Sequence, residues 1–152
     1  QATYQRRLDL IPQLVSTVKG MSGFESSTLI EITEARSRAS QVMITGTPDS
    51  AAYRKHQAVQ DSLASATNRL IAQVESYPEL RGTEAYRKLQ VQLEGTERRI
   101  RVARQDFNAA VNDYNIAVRS FPRNLVAGLF GFRKKEGFQA DIGADKAVEI
   151  KF

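Results

Sequence analysis

One uninterrupted helical pattern, running from Tyr86 to Phe121, constrains the fold of this chain more than any other feature. Apolar residues recur there at alternating intervals of three and four, and this spacing predicts a long helix with an apolar seam. The seam consists of Tyr86, Leu89, Leu93, Thr96, Ile100, Ala103, Phe107, Ala110, Tyr114, Ala117 and Phe121. A helix of this length, about 55 Å, needs neighbours of similar length to cover its seam.

The residues before this helix supply two such neighbours. Helical spacing starts at Tyr4 and resumes between Leu29 and Met43, which predicts a first helix of about 40 residues that kinks at Pro12. Gly20 and Gly23 lie inside it and indicate either a hinge or a close approach to another helix.

A second helix is predicted by the 3-4 spacing between Ala52 and Val74. Gly46 is a natural stop for the first helix, residues 47–49 are suited to start the second, and Pro78 lies beyond its end. The long third helix then begins at Thr83 and Glu84 and stops before Pro122, because the residue before a proline disfavours helical geometry.

The predicted fold is therefore all-α, an up-and-down antiparallel bundle of three long helices. Residues 1–132 form the bundle domain, with a short helical segment after Pro122, and residues 133–152 form an irregular tail that ends in a strand-like alternation. Comparison of the helix lengths leaves the first turns of helix one projecting beyond the others. The apolar residues of this overhang are candidate contacts for a partner: Leu8, Leu10, Ile11, Leu14 and Val15.

Residues typical of catalysis are scarce. The chain has no cysteine and no nucleophile elbow, phosphate-binding glycine loop or dinucleotide fingerprint. The single histidine, His56, lies at a seam position, where a packed or partly exposed helix residue is favoured over a general base. We therefore predict a non-enzymatic protein without a cofactor.

Two pairs of carboxylates leave a metal-binding bundle open as an alternative. Glu31 and Glu34 share one helical turn, as do Glu94 and Glu97. A di-iron centre also needs Glu-x-x-His motifs, and Tyr53 stands three residues before His56, so the ligand set is incomplete.

Polar residues beside the seam of the third helix form a second set of candidates: Glu97, Arg104, Asn108 and Asn115. The two asparagines are seven residues apart and lie on one line, which favours polar groups that fix the register of the bundle. A ligand site built from Arg104, Asn108 and Asn115 is the alternative.

The segment after Pro122 is apolar and then basic. Phe121, Leu125, Phe130 and Phe132 are predicted to form a lid over the end of the bundle, and the alternative is a membrane-surface anchor with residues 133–135. The chain carries a net charge of +5. Nucleic-acid binding is not favoured, because the arginines between Arg98 and Arg104 wrap around the helix instead of forming one stripe.

Two separated motifs resemble those of the LemA family of bacterial membrane-associated proteins. The first is Arg6-Arg7-Leu8-Asp9-Leu10-Ile11-Pro12-Gln13-Leu14-Val15, and the second runs from Tyr114-Asn115-Ile116-Ala117-Val118-Arg119-Ser120-Phe121-Pro122 to Phe132. Glu97, Arg104, Phe107-Asn108 and residues 77–80 also stand where that family has similar residues, whereas Gln13 and Gly23-Phe24 depart from it.

The resemblance implies a helical bundle joined to an N-terminal transmembrane helix, which is absent from these residues. We therefore expect a soluble part of a protein of the bacterial inner membrane, whose partner is another protein or a second copy. Arg6 and Arg7 slightly favour the cytoplasmic face. The family implies no settled biochemical activity.

Overall fold

The computed structural model describes residues 2–21, 24–42, 44 and 50–138. Six helices follow one another along these residues, and no strand occurs in them: α1 (Ala2–Lys19), α2 (Ser26–Gln41), α3 (Ser50–Val74), α4 (Pro78–Arg81), α5 (Glu84–Arg119) and α6 (Arg123–Leu129). The predicted all-α class is confirmed. The predicted starts or stops at Gly46, residues 47–49 and the strand-like end of the tail lie outside the described residues.

The chain divides into two compact units, one of residues 1–103 and the other of residues 104–152. Helix α5 belongs to both, since its first part lies in unit 1 and its last part in unit 2. This division differs from the predicted bundle domain of residues 1–132, and the predicted boundary at residue 132 stays a prediction.

Unit 1 has a continuous apolar core made by α1, α2, α3, α4 and the first part of α5. Leu10, Ile11 and Leu14 of α1 are fully buried in it, as are Leu63 and Leu70 of α3. Each large aliphatic side chain removed from water in this way stabilises the fold by about 1.5–3 kcal/mol before the entropy of ordering is subtracted. The core therefore fixes how the helices of unit 1 pack.

The single first helix predicted from the sequence is wrong, because α1 and α2 are separate helices joined by a turn. Helix α1 continues through Pro12 as expected but ends at Lys19, and the Met21 N–H closes the turn on the Val18 carbonyl at 3.0 Å. The guanidinium of Arg36 then donates to the Leu8 carbonyl at 2.9 Å, so α2 returns alongside α1. The low helix propensity of Gly20 explains why the chain turns here.

Contacts between α3 and the first two helices show how these helices run. Glu25 and Glu31 contact Gln73 and Arg69 respectively, so α2 and α3 are antiparallel. The Tyr4 ring packs on His56 and the Arg7 guanidinium reaches the Gln60 carbonyl, so α1 and α3 run in the same direction.

Helix α5 begins where the sequence predicts and ends within two residues of the predicted stop. Thr83 caps it, since the Thr83 hydroxyl accepts a hydrogen bond from the Tyr86 N–H at 3.3 Å. The seam is buried only in unit 1, at Tyr86, Leu89, Leu93, Thr96 and Ile100. Further along, Phe107 is 40% exposed and Phe121 is 81% exposed.

Unit 2 consists of the last part of α5, the short helix α6 and an extended segment of residues 132–138. Ala127 of α6 is buried, whereas most of the large apolar side chains around it are exposed. The extended segment is held by α5 through side chains that the next section describes.

Candidate functional site

A buried ion pair lies inside unit 1. Arg7 of α1 is 1% exposed, and its Nε and Nη2 atoms lie 2.8 Å and 3.1 Å from the two carboxylate oxygens of Glu97 on α5. Its Nη1 atom donates to the backbone carbonyl of Gln60 at 2.7 Å. One arginine therefore joins α1, α3 and α5. Nη1 and Nη2 donate charge-assisted hydrogen bonds to Gln60 and Glu97, and Nε makes an ionic contact with the second carboxylate oxygen of Glu97.

The sequence analysis does not predict this role of Arg7, because it interprets Arg6 and Arg7 together as a basic pair near a membrane. The signal is present in the spacing, because Arg7 stands between Tyr4 and Ile11 at the 3-4 interval of a seam. Gln60 and Thr67 occupy corresponding positions between His56 and Leu70 of α3, and both are buried. A polar residue at an otherwise apolar seam position indicates a buried hydrogen-bonding group.

A cavity of about 150 Å³ is lined in part by Gln60, whose backbone carbonyl binds Arg7. Most of its lining is apolar, and the polar side chains facing it include His56 and Gln60, which are 2% and 1% exposed. His56 is therefore packed, as predicted, with its ring 4.8 Å from the Tyr4 ring in an edge-to-face arrangement. The described residues of the lining include no serine, cysteine or carboxylate, so among them no such nucleophile is paired with a carboxylate.

Three of the four carboxylates proposed as an alternative metal site contact other residues. Glu31 forms an ion pair with Arg69, Glu94 accepts a hydrogen bond from Gln90, and Glu97 binds Arg7. Within residues 2–21, 24–42, 44 and 50–138, no three acidic, histidine or cysteine side chains gather as metal ligands would. The structure thus does not bring Glu31, Glu34, Glu94 and Glu97 together.

Asn108 and Asn115 bind the backbone of the extended segment in unit 2. Asn115 accepts from the Lys135 N–H and donates to the Lys135 carbonyl, both at 2.9 Å. Asn108 makes the same pair of bonds with Phe138, at 2.6 Å and 3.0 Å. Each side-chain amide therefore pairs with one backbone residue as a neighbouring strand would, and we call this arrangement the asparagine clamp.

The spacing of the two asparagines follows from the helical repeat. Seven residues of helix rise about 10.5 Å, close to two turns, so Asn108 and Asn115 lie on the same side of α5. The described partners of Asn108 and Asn115 are the backbone groups of Phe138 and Lys135, and their role in fixing the register of a bundle stays a prediction.

Neighbouring side chains complete the clamp. The Tyr114 hydroxyl donates to the Arg133 carbonyl at 3.1 Å. The Phe138 ring lies 5.5 Å from the Phe107 ring, and the Arg104 guanidinium is 5.1 Å from the Phe138 ring centroid. Arg104 thus contacts an aromatic face. Arg104, Asn108 and Asn115, the three residues of the alternative ligand site, therefore all contact residues of the segment 132–138.

The candidate partner contacts of α1 are buried. Leu8 is 6% exposed, Leu10, Ile11 and Leu14 are fully buried, and Val15 packs against the core. The predicted apolar overhang is wrong, because it assumed one continuous first helix, whereas α2 folds back and covers α1.

The predicted lid is also wrong. Its four members, Phe121, Leu125, Phe130 and Phe132, are 81%, 64%, 71% and 56% exposed. Val126 and Leu129 are also exposed, at 57% and 87%. We call these six side chains the C-terminal apolar surface. They fail to form a lid because α6, with only seven residues, buries Ala127 and turns its larger side chains outward.

Together these features define an all-α module that is stabilised by a buried arginine–glutamate pair and exposes an apolar surface at α6. The chain belongs to the LemA family, since that family's model matches residues 1–152. Among the described residues, no helix combines the length and the hydropathy needed to cross a membrane.

Relatives of two kinds agree with this assignment. Magnetosome protein MamQ 2 of Paramagnetospirillum magneticum is 36% identical over 84 residues, which are 55% of this chain and 31% of that protein. Magnetosome protein MamQ of Magnetospirillum gryphiswaldense is 32% identical over 84 residues, which are again 55% of this chain and 31% of that protein. Protein LemA of Metamycoplasma hominis is 28% identical over 140 residues, or 92% of this chain and 61% of that protein. The chain therefore spans about a third of the MamQ proteins.

Proposed function

We propose that the chain is the non-enzymatic helical module of a membrane-associated bacterial protein and acts as a scaffold. In this role the whole protein works through surface contacts and assembles protein partners or further copies of itself at a membrane. The proposal concerns a longer protein, because the relatives extend well beyond the region that they share with this chain.

The observation that carries the contact role is the C-terminal apolar surface. Six large apolar side chains within twelve residues, each more than half exposed, are unfavourable in water unless another surface covers them. Apolar surfaces of this kind mark sites of contact with proteins or membranes.

The interior of unit 1 supports a structural role over catalysis. The buried charge of Arg7 is neutralised by the partly exposed Glu97, and Glu31, Glu94 and Glu97 have separate partners among the described residues. A buried arginine that contacts both oxygens of one carboxylate is suited to fixing which helices pack together.

The relatives support assembly at a membrane. Two of the relatives named above are magnetosome proteins, and the family resemblance implies attachment through a transmembrane helix. We place the module at the bacterial inner membrane on this ground. For the cytoplasmic face the support is now Arg6 alone, since Arg6 is exposed whereas Arg7 is buried and ion-paired.

Crosslinking of the full-length protein in its native membrane tests the scaffold role. We would place photo-crosslinking residues at exposed positions of each unit, such as Ile30 and Leu125. Discrete adducts with another protein or a second copy are expected from at least one position. If neither position yields a protein adduct and the extracted protein is strictly monomeric, the scaffold role is abandoned.

A small-ligand role is the second candidate, because Gln60 Oε1 is buried beside the cavity and accepts no hydrogen bond from the described residues. Native mass spectrometry of the purified chain tests it. A stoichiometric bound molecule that is lost in Gln60→Leu supports this role, and a single unliganded mass opposes it.

A further inference from the structure

The net charge of the chain is concentrated in one stretch. Between Asp113 and Glu136 the sequence has no acidic residue and five basic ones: Arg119, Arg123, Arg133, Lys134 and Lys135. The whole chain has 22 basic and 17 acidic residues, so the rest of it has 17 of each. Residues 114–135 thus carry the whole excess of +5.

The same stretch holds the C-terminal apolar surface. Two backbone hydrogen bonds close its turn, from the Phe130 N–H to the Val126 carbonyl and from the Phe132 N–H to the Ala127 carbonyl, at 3.0 Å and 2.9 Å. The turn fixes the backbone that carries Phe130 and Phe132. All five basic side chains are exposed, so charge and apolar surface are available together.

Helix geometry presents part of this surface on one side of α6. Leu125 and Leu129 are one turn apart and lie opposite the buried Ala127. Both side chains therefore point away from the interior of unit 2.

We infer that residues 119–135 form a contact with an anionic lipid surface. The inference rests on the proposed membrane-associated role and names what covers the C-terminal apolar surface. Leu129 and Phe130 would enter the boundary between headgroups and acyl chains, while the flanking arginines and lysines bind lipid phosphate.

The basic charge of residues 119–135 favours a lipid surface over a second copy of the chain as the partner. Two copies joined through this surface would bring two sets of five basic residues together, and like charges at an interface are unfavourable. Anionic headgroups complement the bases, and the acyl boundary accepts the exposed phenylalanine and leucine side chains. A nucleic acid would satisfy the charge but would leave these apolar side chains in water.

Vesicle co-sedimentation of the 152-residue chain tests the inference. Vesicles of phosphatidylcholine with phosphatidylglycerol should bind the chain, and vesicles of phosphatidylcholine alone should bind it much more weakly. The double variant Leu129→Ser/Phe130→Ser should lower the partition coefficient by about tenfold or more. Arg133→Ser/Lys134→Ser/Lys135→Ser should lower it by about 100-fold at low salt, and added salt should weaken the binding of the unaltered chain.

Matched substitutions elsewhere provide the controls. Val91 is 69% exposed on the part of α5 in unit 1, and Val91→Ser should leave the partition coefficient unchanged. Arg98→Ser/Arg99→Ser/Arg101→Ser removes the same number of exposed charges and should reduce binding only slightly. All variants concern exposed side chains, and circular dichroism verifies that their helix content is retained.

Three results would overturn the inference. The first is that the chain does not bind anionic vesicles. The second is that the C-terminal variants bind as strongly as the controls. The third is that the Leu129→Ser/Phe130→Ser variant loses a dimer or a protein complex that the unaltered chain forms. The last result would assign the surface to a protein. Failure here is distinct from failure of the scaffold role, because crosslinked protein complexes can form through other surfaces when lipid binding is absent.

Discussion

Two apolar stretches of similar character meet opposite environments in this molecule. In unit 1, Leu10, Ile11 and Leu14 are fully buried between neighbouring helices. In unit 2, Leu125, Leu129 and Phe130 are between 64% and 87% exposed. The sequence predicted the reverse, with the first stretch as an exposed overhang and the second as a packed lid.

The difference shows that burial is decided by what the chain places beside a stretch and not by its hydropathy. A turn after Lys19 brings α2 back over α1, so the first stretch gains a cover. Helix α6 has only seven residues and buries Ala127, so its larger side chains are left outside. In unit 1 such side chains stabilise the fold, and in unit 2 they are available for binding.

The largest expected effect comes from truncating one side chain of each stretch. Leu10→Ala should lower the free energy of unfolding by about 3 kcal/mol, because it leaves a cavity at a fully buried site. Leu129→Ala should change it by less than about 0.5 kcal/mol, because that side chain is already exposed. Urea unfolding followed by circular dichroism measures both, and equal losses would contradict the contrast between the two stretches.

A smaller loss is expected when the buried ion pair is broken. Glu97→Leu should destabilise the chain by about 2 kcal/mol, since the guanidinium of Arg7 would lose its counter-charge. The loss stays below that of a fully buried pair because the Glu97 side chain is 37% exposed and water reaches it. Adding Arg7→Met to Glu97→Leu should recover part of the stability.

The exposed pair of Glu84 and Lys88 provides the control for this measurement. Its two side chains are 76% and 69% exposed, so Lys88→Ala should cost less than about 0.5 kcal/mol. If Glu97→Leu costs no more than Lys88→Ala, the pair of Arg7 and Glu97 does not hold unit 1 together.

Much of the fold could be predicted because strong local signals agree with the structure. The 3-4 spacing of α5, the proline after its end and the continuation of α1 through Pro12 all correspond to observed features. The turn between α1 and α2 could not be placed, because Gly20 is compatible with a hinge, a close helix contact or a turn. That single ambiguity reversed the prediction for Leu8 to Val15.

The candidate site was predictable only in part, for a related reason. The asparagine spacing showed that Asn108 and Asn115 act together, but an amide binds a ligand, a side chain or a backbone equally well. Only the folded chain shows that Lys135 and Phe138 present their backbones there. Arg7 was missed because a charged residue in a basic dipeptide suggests a surface, although its seam position indicates burial.

The asparagine clamp gives a third test, with an effect confined to unit 2. A methyl group at Gly137 would lie 2.5 Å from Asn108 Oδ1, so Gly137→Ala should break the bonds between Asn108 and Phe138. We expect a loss of at most about 1 kcal/mol, and faster hydrogen exchange at the Phe138 amide. Gly128→Ala is the control, because a methyl group there meets open space. Unchanged exchange at Phe138 in Gly137→Ala would mean that the clamp does not need Gly137.

The last expected effect is a pH dependence that belongs to unit 1. Burial, reinforced by the negative charges of Glu75 and Glu94, raises the pKa of Tyr86 above its usual value of 10.0. The unfolded chain therefore releases this proton first, and the stability contributed by neutral Tyr86 is present below about pH 10 and is lost as the pH rises further. One such group changes the free energy of unfolding by at most about 1.4 kcal/mol per pH unit.

Urea midpoints of the unaltered chain and of Tyr86→Phe, compared on both sides of about pH 10, isolate this contribution, because the other titrating groups are common to both. The variant should lose less stability above that pH, and parallel curves would show that Tyr86 titrates alike in the folded and unfolded chain.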